Sequence, residues 1–168
     1  MKIRQMTRCA LFAALLAVCG ILSFPLGDGA VSMQSFGVLL CLGVLGGKWG
    51  TVTCLVYVAL GAMGLPVFSG MQGGLGVLMG PTGGYLLGFV AAGLIYRILE
   101  NKLPMAACMV LSMAVCYAFG TAWYALLYAP GSIWPVAAKC VLPYLLPDGV
   151  KLLLALGISK RIKHPPEA

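Results

Sequence analysis

Charged side chains divide this chain into long apolar runs. Nothing charged lies between Arg8 and Asp28, between Asp28 and Lys48, or between Lys102 and Lys139, and the run from Trp49 to Tyr96 carries no charge at all. A helix crossing a bilayer needs about 20 apolar residues, so the runs hold several crossings. Glycine, proline and short polar clusters punctuate them into six predicted helices, over about 7–24, 34–47, 50–63, 81–99, 104–128 and 136–162. "PLGDG" closes the first and the "GGKWG" turn around Lys48 closes the second. Pro81, suited to a first helical turn, opens the fourth. "ENKLP" and "APGSIWP" bound the fifth, and Pro143 and Pro147 are expected to interrupt the sixth. Residues 1–168 are therefore expected to form one all-α integral membrane domain, a compact bundle of six transmembrane helices.

Composition agrees. Hydrophobic residues make up 61% of the chain and charged residues 9%, with a mean hydropathy of +1.01, where a soluble domain is about a quarter charged. The net charge of +7 does not point to nucleic acid, because the basic residues sit at the ends of apolar runs. With six spans, one side of the membrane receives Lys2, Arg4, Arg8, Lys48, Arg97, Lys102, Lys160, Arg161 and Lys163, nine of the eleven basic residues. Cytoplasmic loops are the lysine- and arginine-rich ones, so both termini are expected in the cytoplasm. "MKIRQMTR" before an apolar stretch has the outline of a cleaved leader. Val18, bulky before Cys19, argues against a lipoprotein site, and the stretch is expected to remain as the first span. The seven cysteines form no CxxC pair and His164 is the sole histidine. The cysteines read as small buried hydrophobes, and neither a metal nor a cofactor is expected.

The opposite side is different in kind. It receives the 25–33 loop, the proline-rich approach to the sixth helix, and "GLPVFSGMQGGLGVLMGPTGGY", with eight glycines from Gly64 to Gly84. It also holds Asp28 and Asp148, two of the four acids. Irregular backbone at membrane depth survives where it is buried in protein or lines a cavity. "LPVF" and "LGVLM" are too apolar for an ordinary exposed loop, so this segment is expected to wall a site.

Asp148 and Lys151, in "LPYLLPDGVKLLLALG", are the strongest candidates for chemistry. Three residues apart, they share a helical face, and each costs about 2.5–3.5 kcal/mol at mid-membrane on insertion scales. They form either a structural ion pair or a polar clamp, an acceptor beside a donor, for a ligand offering N–H groups next to a carbonyl. Gln34 is a helix-end residue meeting headgroups or a site residue, and Gln72 a solvated loop tip or a site residue. Tyr85 and the tryptophans 49, 123 and 134 suit an interfacial belt, with ligand stacking a second reading for Tyr85. Ala10 and Ala14 lie four apart on the first helix, where small residues permit close helix approach, within the bundle or to a partner. "GGKWG" lacks the upstream glycine and the serine or threonine of a phosphate loop, and no hydrolase motif is present.

The elements "GLPVFSGMQGG" and "LMGPTGGYLLGF", with "MQSFG" upstream and "LPDGVK" downstream, resemble the BioY family, the biotin-binding substrate components (S-components) of energy-coupling-factor transporters. The resemblance covers nearly the whole chain. It implies a multi-pass protein of the bacterial cytoplasmic membrane that binds biotin at its outer face and is not an enzyme. It also implies a transmembrane coupling protein and two cytoplasmic ATPases as partners, which alone use ATP. By the same resemblance, Asp148 and Lys151 engage the ureido ring and Gln34, Gln72 and Tyr85 line the site. Ala10 and Ala14 match the surface that docks the coupling protein. Leu86 stands where some relatives carry a basic residue, and the lead-in to Gln34 is altered to "AVSMQ", so the resemblance assigns no partner to the biotin carboxylate. Other readings are an S-component for a different vitamin, an intramembrane enzyme using Asp148, or a passive channel. The six-span topology predicts that a fluorescent protein fused to either end fluoresces, and that alkaline phosphatase fused to either end is inactive. Opposite reports from the two ends would contradict an even number of spans.

Overall fold

The computed structural model describes residues 3–26, 29–128 and 133–163. Its elements in chain order are α1 (Ile3–Ile21), β1 (Ser23–Leu26), β2 (Gly29–Ser32), α2 (Gln34–Ala62), α3 (Leu75–Met79), α4 (Gly83–Leu99), α5 (Met105–Tyr128) and α6 (Ile133–Lys163). α2 is two helices in one hydrogen-bonded run. Gly46, at φ 77° and ψ 171°, breaks it into arms 34–45 and 47–62. The arms double back, since a side chain at Gly50 would stand 3.1 Å from Leu42 Cα. With α1, α4, α5 and α6 this makes the six expected helices, and α1 and α5 are each long and apolar enough to cross a bilayer.

Four local expectations change. The first helix stops at Ile21 rather than residue 24, and β1 and β2 pair as an antiparallel hairpin with Ser23 opposite Ser32 and Phe24 opposite Val31. Pro25 has no N–H to continue a helix and biases Phe24 toward extended backbone; pairing then satisfies the main chain that the helix gives up. Asp28 lies outside the described residues. The reversal expected at "GGKWG" falls on Gly46 alone, with Lys48 already helical. Part of the glycine segment is helical, as α3. The sixth helix runs through Pro143 and Pro147 without ending, because in an apolar setting a continuous helix leaves fewer backbone groups unpaired than a break does.

The first arm of α2 is the axis of the bundle. Every residue from Gly37 to Gly43 is buried, and α2 packs against α1, α4 and α6, while α4 and α5 form a second close pair. Apolar side chains such as Leu126, Leu146 and Leu153 point outward, as a lipid-facing surface requires. Four contacts set the polarity of the bundle. The Gly47 N–H donates to Glu100 Oε2 at 2.6 Å, the Cys9 thiol meets the Trp49 carbonyl at 3.9 Å, and Gly43 abuts Ser159. These bring the start of α1, the Gly46 turn and the ends of α4 and α6 to one end of the molecule, with Arg4, Arg8, Lys48, Arg97, Lys102, Lys160 and Arg161 exposed there. Ser35 and Asp148, in contact at 2.9 Å, mark the other end. Lys139 and Trp134 lie in α6, outside the residues whose side chains are described.

The Gly46 conformation belongs to a region that only glycine occupies without strain, at a cost of about 1–3 kcal/mol for other residues, and a Cβ there would also sit 3.2 Å from Glu100 Oε2. Gly46→Ala is expected to lower the apparent melting midpoint in detergent by roughly 2–10 °C. Gly157→Ala, where a Cβ meets nothing within 4 Å, should leave it unchanged or slightly raised. Equal melting of Gly46→Ala and parent would contradict the assignment of the turn to Gly46.

Candidate functional site

The end of the bundle opposite the basic residues gathers polar groups from four elements. Asp148 and Lys151 stand one turn apart on α6, 8% and 5% exposed, with Nζ 2.7 Å from Oδ1. An ammonium group has three N–H donors, and three acceptors meet this one: Asp148 Oδ1, the Ser32 carbonyl of β2 at 2.7 Å, and Ser35 Oγ of α2 at 3.3 Å. Ser35 in turn donates its hydroxyl to Asp148 Oδ1 at 2.9 Å, and the Tyr117 hydroxyl of α5 donates to Oδ2. Each charge has partners on elements other than its own. Removing one member of a buried pair costs about 3–5 kcal/mol, because the other charge is left uncompensated.

Gln34, the first residue of α2, is 5% exposed rather than facing headgroups. Its Oε1 accepts the Ser32 hydroxyl at 3.2 Å and its Nε2 donates to the Tyr57 hydroxyl at 2.5 Å. The Tyr57 hydroxyl in turn donates to the Val67 carbonyl at 2.8 Å, and Val67 lies in the glycine segment. The segment is folded back on itself there: the Phe68 N–H donates to the Gln72 carbonyl at 3.0 Å and the Gly74 N–H to the Gly61 carbonyl at 2.7 Å. Phe68 is buried, edge-on to Tyr57 at 5.7 Å and 80°.

Tyr85, in the first turn of α4, is half-buried and lays its ring over Gly120 of α5, where a Cβ would sit 2.3 Å from Cδ1. Gly120 follows Tyr117 by three residues, which puts Tyr85 beside the residue that binds Asp148. Gln72 is engaged through its main chain, with an exposed side chain at the rim of the segment. Leu86 is 3% exposed and belongs to the apolar core, so position 86 presents nothing to a carboxylate. Trp123, a belt candidate from its sequence, packs on Gly84 and donates Nε1–H to the Gly80 carbonyl at 3.1 Å. Trp49 lies under the Lys48 ammonium at 5.4 Å, at the basic end. On α1, Cys9, Ala13 and Leu16 face the bundle, while Ala10 and Ala14 are exposed; these two are not used for packing within the bundle.

Sequence reasoning missed Ser32, Ser35, Tyr57 and Tyr117. The two serines flank Gln34 in "SMQS", a polar cluster in an apolar run, and that signal was available. Tyr57 and Tyr117 sit in unremarkable apolar helices, and nothing in their local sequence marks them.

The arrangement is an ion pair that donates and accepts in neighbouring directions, held by Ser32 of β2, Ser35 of α2 and Tyr117 of α5, and linked through Gln34 and Tyr57 to the glycine segment. The BioY family model matches residues 1–166. A protein of Thermotoga maritima named "Biotin transporter BioY" is 37% identical over 164 residues, covering 95% of this chain and 96% of that one. A "Probable biotin transporter BioY" of Pyrococcus horikoshii is 34% identical, covering 97% and 98%. Among solved structures, the S-component for biotin from an ECF-type ABC transporter superposes with a TM-score of 0.87 at 23% identity, over 96% of this chain and 92% of that one, a likeness of fold. With a family match along almost its full length and relatives aligned end to end, the chain belongs to the BioY family.

Proposed function

We propose that this protein is the biotin-binding membrane subunit of an energy-coupling-factor importer in the bacterial cytoplasmic membrane, with both termini in the cytoplasm. The observation that carries the reading is the buried Asp148–Lys151 pair, an acceptor and a donor 2.7 Å apart with partners on three other elements. A ureido ring offers the complement, a carbonyl flanked by two N–H groups. The weakest of the three contacts to Lys151 is Ser35 at 3.3 Å. The ligand carbonyl takes that N–H, a ureido N–H takes the place of Ser35 on Asp148, and the ion pair itself stays intact. The Ser32 carbonyl keeps its bond to Lys151 and holds the hairpin over the ligand.

The other residues have supporting roles. Tyr85 offers a ring face beside the head group. Gln34 retains one amide N–H beyond the one given to Tyr57, and Gln72 borders the rim. An apolar wall takes the valeryl chain, and the hairpin and the 64–80 segment close over it. The exposed Ala10 and Ala14 dock the coupling protein, whose two ATPase partners supply the energy for release by tilting the bundle. The relatives' names support transport rather than catalysis, and the chain is assigned no cofactor of its own.

Purified protein in detergent should bind labelled biotin saturably and one to one. Asp148→Asn and Lys151→Ala should each weaken binding about 10- to 100-fold, the range for one hydrogen bond to a charged group. Each leaves an unpaired charge, so the double variant Asp148→Asn/Lys151→Met removes both; it should melt no lower than either single variant and still fail to bind. Parental affinity in the double variant would overturn the clamp, and no binding by the folded parent would overturn the biotin assignment.

A further inference from the structure

Two pieces of irregular backbone border the site, the β1–β2 hairpin and the 64–74 segment, far apart in sequence. One directed chain of hydrogen bonds joins them. The Ser32 hydroxyl donates to Gln34 Oε1, Gln34 Nε2 donates to the Tyr57 hydroxyl, and Tyr57 donates to the Val67 carbonyl, at 3.2, 2.5 and 2.8 Å. Ser32 belongs to the clamp as well, since its carbonyl accepts from Lys151 at 2.7 Å. The chain therefore starts at the charge pair and ends in the glycine segment, and Tyr57 is the side chain that reaches the glycine segment.

Tyr57 is built to stay still. It is 1% exposed and its ring is braced edge-on by Phe68, itself seated on Gly61, where a Cβ would lie 2.0 Å from Cζ. A third body touches the same point. Gly20 of α1 comes so close that a Cβ on it would fall 2.4 Å from the Val67 carbonyl oxygen and 2.9 Å from the Tyr57 hydroxyl. Only a residue without a side chain lets α1 approach that carbonyl.

From this geometry we propose that Tyr57 is a positioning residue that makes the hairpin and the 64–74 segment move as one wall, and so sets how long a ligand held by Asp148 and Lys151 stays bound. The inference rests on the proposed biotin-binding function for its ligand, and on the hydrogen-bond chain for its mechanics. Gly20 extends it to α1: a displacement of that helix presses on the oxygen that closes the chain.

Tyr57→Phe keeps the ring and its contact with Phe68 and removes only the hydroxyl. Two readouts separate positioning from general structure. In ligand-free protein, hydrogen exchange at the Phe68 and Gly74 amides should accelerate while amides of α5 keep the parental rates. With labelled biotin, dissociation should accelerate about tenfold with little change in association. In ligand-free protein, adding Gln34→Leu to Tyr57→Phe should bring no further acceleration of exchange at Phe68 and Gly74, because both cut one chain. Gly20→Ala, which puts in a better helix former but crowds Val67, should also speed release. Unchanged exchange at Phe68 and Gly74, a uniform rise across all helices, or parental dissociation would each overturn the proposal. If the parent binds no biotin, the functional reading has failed, and the exchange experiment still decides whether Tyr57 ties the segments together.

Discussion

Two opposite charges placed inside an apolar bundle need all their hydrogen-bonding capacity met, and much of the rest of the site follows from that need. Lys151 has three donors to satisfy and Asp148 two oxygens. One turn of α6 meets part of the demand by pairing them, and the remainder comes from Ser32, Ser35 and Tyr117. The hairpin must end where its carbonyl reaches the ammonium, α2 must begin where Ser35 faces the carboxylate, and α5 must lie close enough for a tyrosine to reach Oδ2. The pair thus fixes the relative positions of four elements at one end of the bundle. At the other end the described basic side chains are exposed, and the elements are joined by the Gly47–Glu100 contact and close glycine packing.

A self-satisfied pair also shapes what binding requires. In the proposed binding mode a ligand does not fill an idle donor but exchanges with Ser35, and that exchange is favourable only if the incoming groups replace both the donor and the acceptor roles of that hydroxyl. A molecule with a carbonyl but no adjacent N–H leaves Asp148 short of a partner, and buried unpaired polar groups are what give such sites steep discrimination. Lys151 also holds the Ser32 carbonyl, so in the proposed mechanism selection of the head group and closure of the site draw on the same ammonium.

The helices were legible in the sequence because lipid permits so little else. Long charge-free runs, placement of lysine and arginine, and glycine and proline punctuation located six helices to within a few residues, and the same scarcity of charge drew attention to Asp148 and Lys151. What stayed hidden depended on pairing at a distance. Residues 23–32 carry no strong alternation, so their hairpin emerges only when Ser23 meets Ser32. Pro143 and Pro147 read as breaks because local propensity predicts them so, whereas the apolar surroundings favour a continuous helix. Tyr57 and Tyr117 look like any aromatic in an apolar helix; their hydroxyls acquire meaning from Val67 and Asp148, 10 and 31 residues away. Ala10 and Ala14 are the opposite case, where spacing named the stripe and only the packing of α1 decided which way it faces.

The central claim is that the Asp148–Lys151 pair reads the ligand's head group by exchanging with Ser35. A structure of the protein with biotin bound tests it most directly. The account predicts the ureido oxygen on Lys151 Nζ, a ureido N–H on the Asp148 carboxylate, Ser35 displaced from both, and the Ser32 carbonyl still held by Lys151. A bound biotin whose ring lies elsewhere, with the Asp148–Lys151–Ser35 contacts intact, would contradict it.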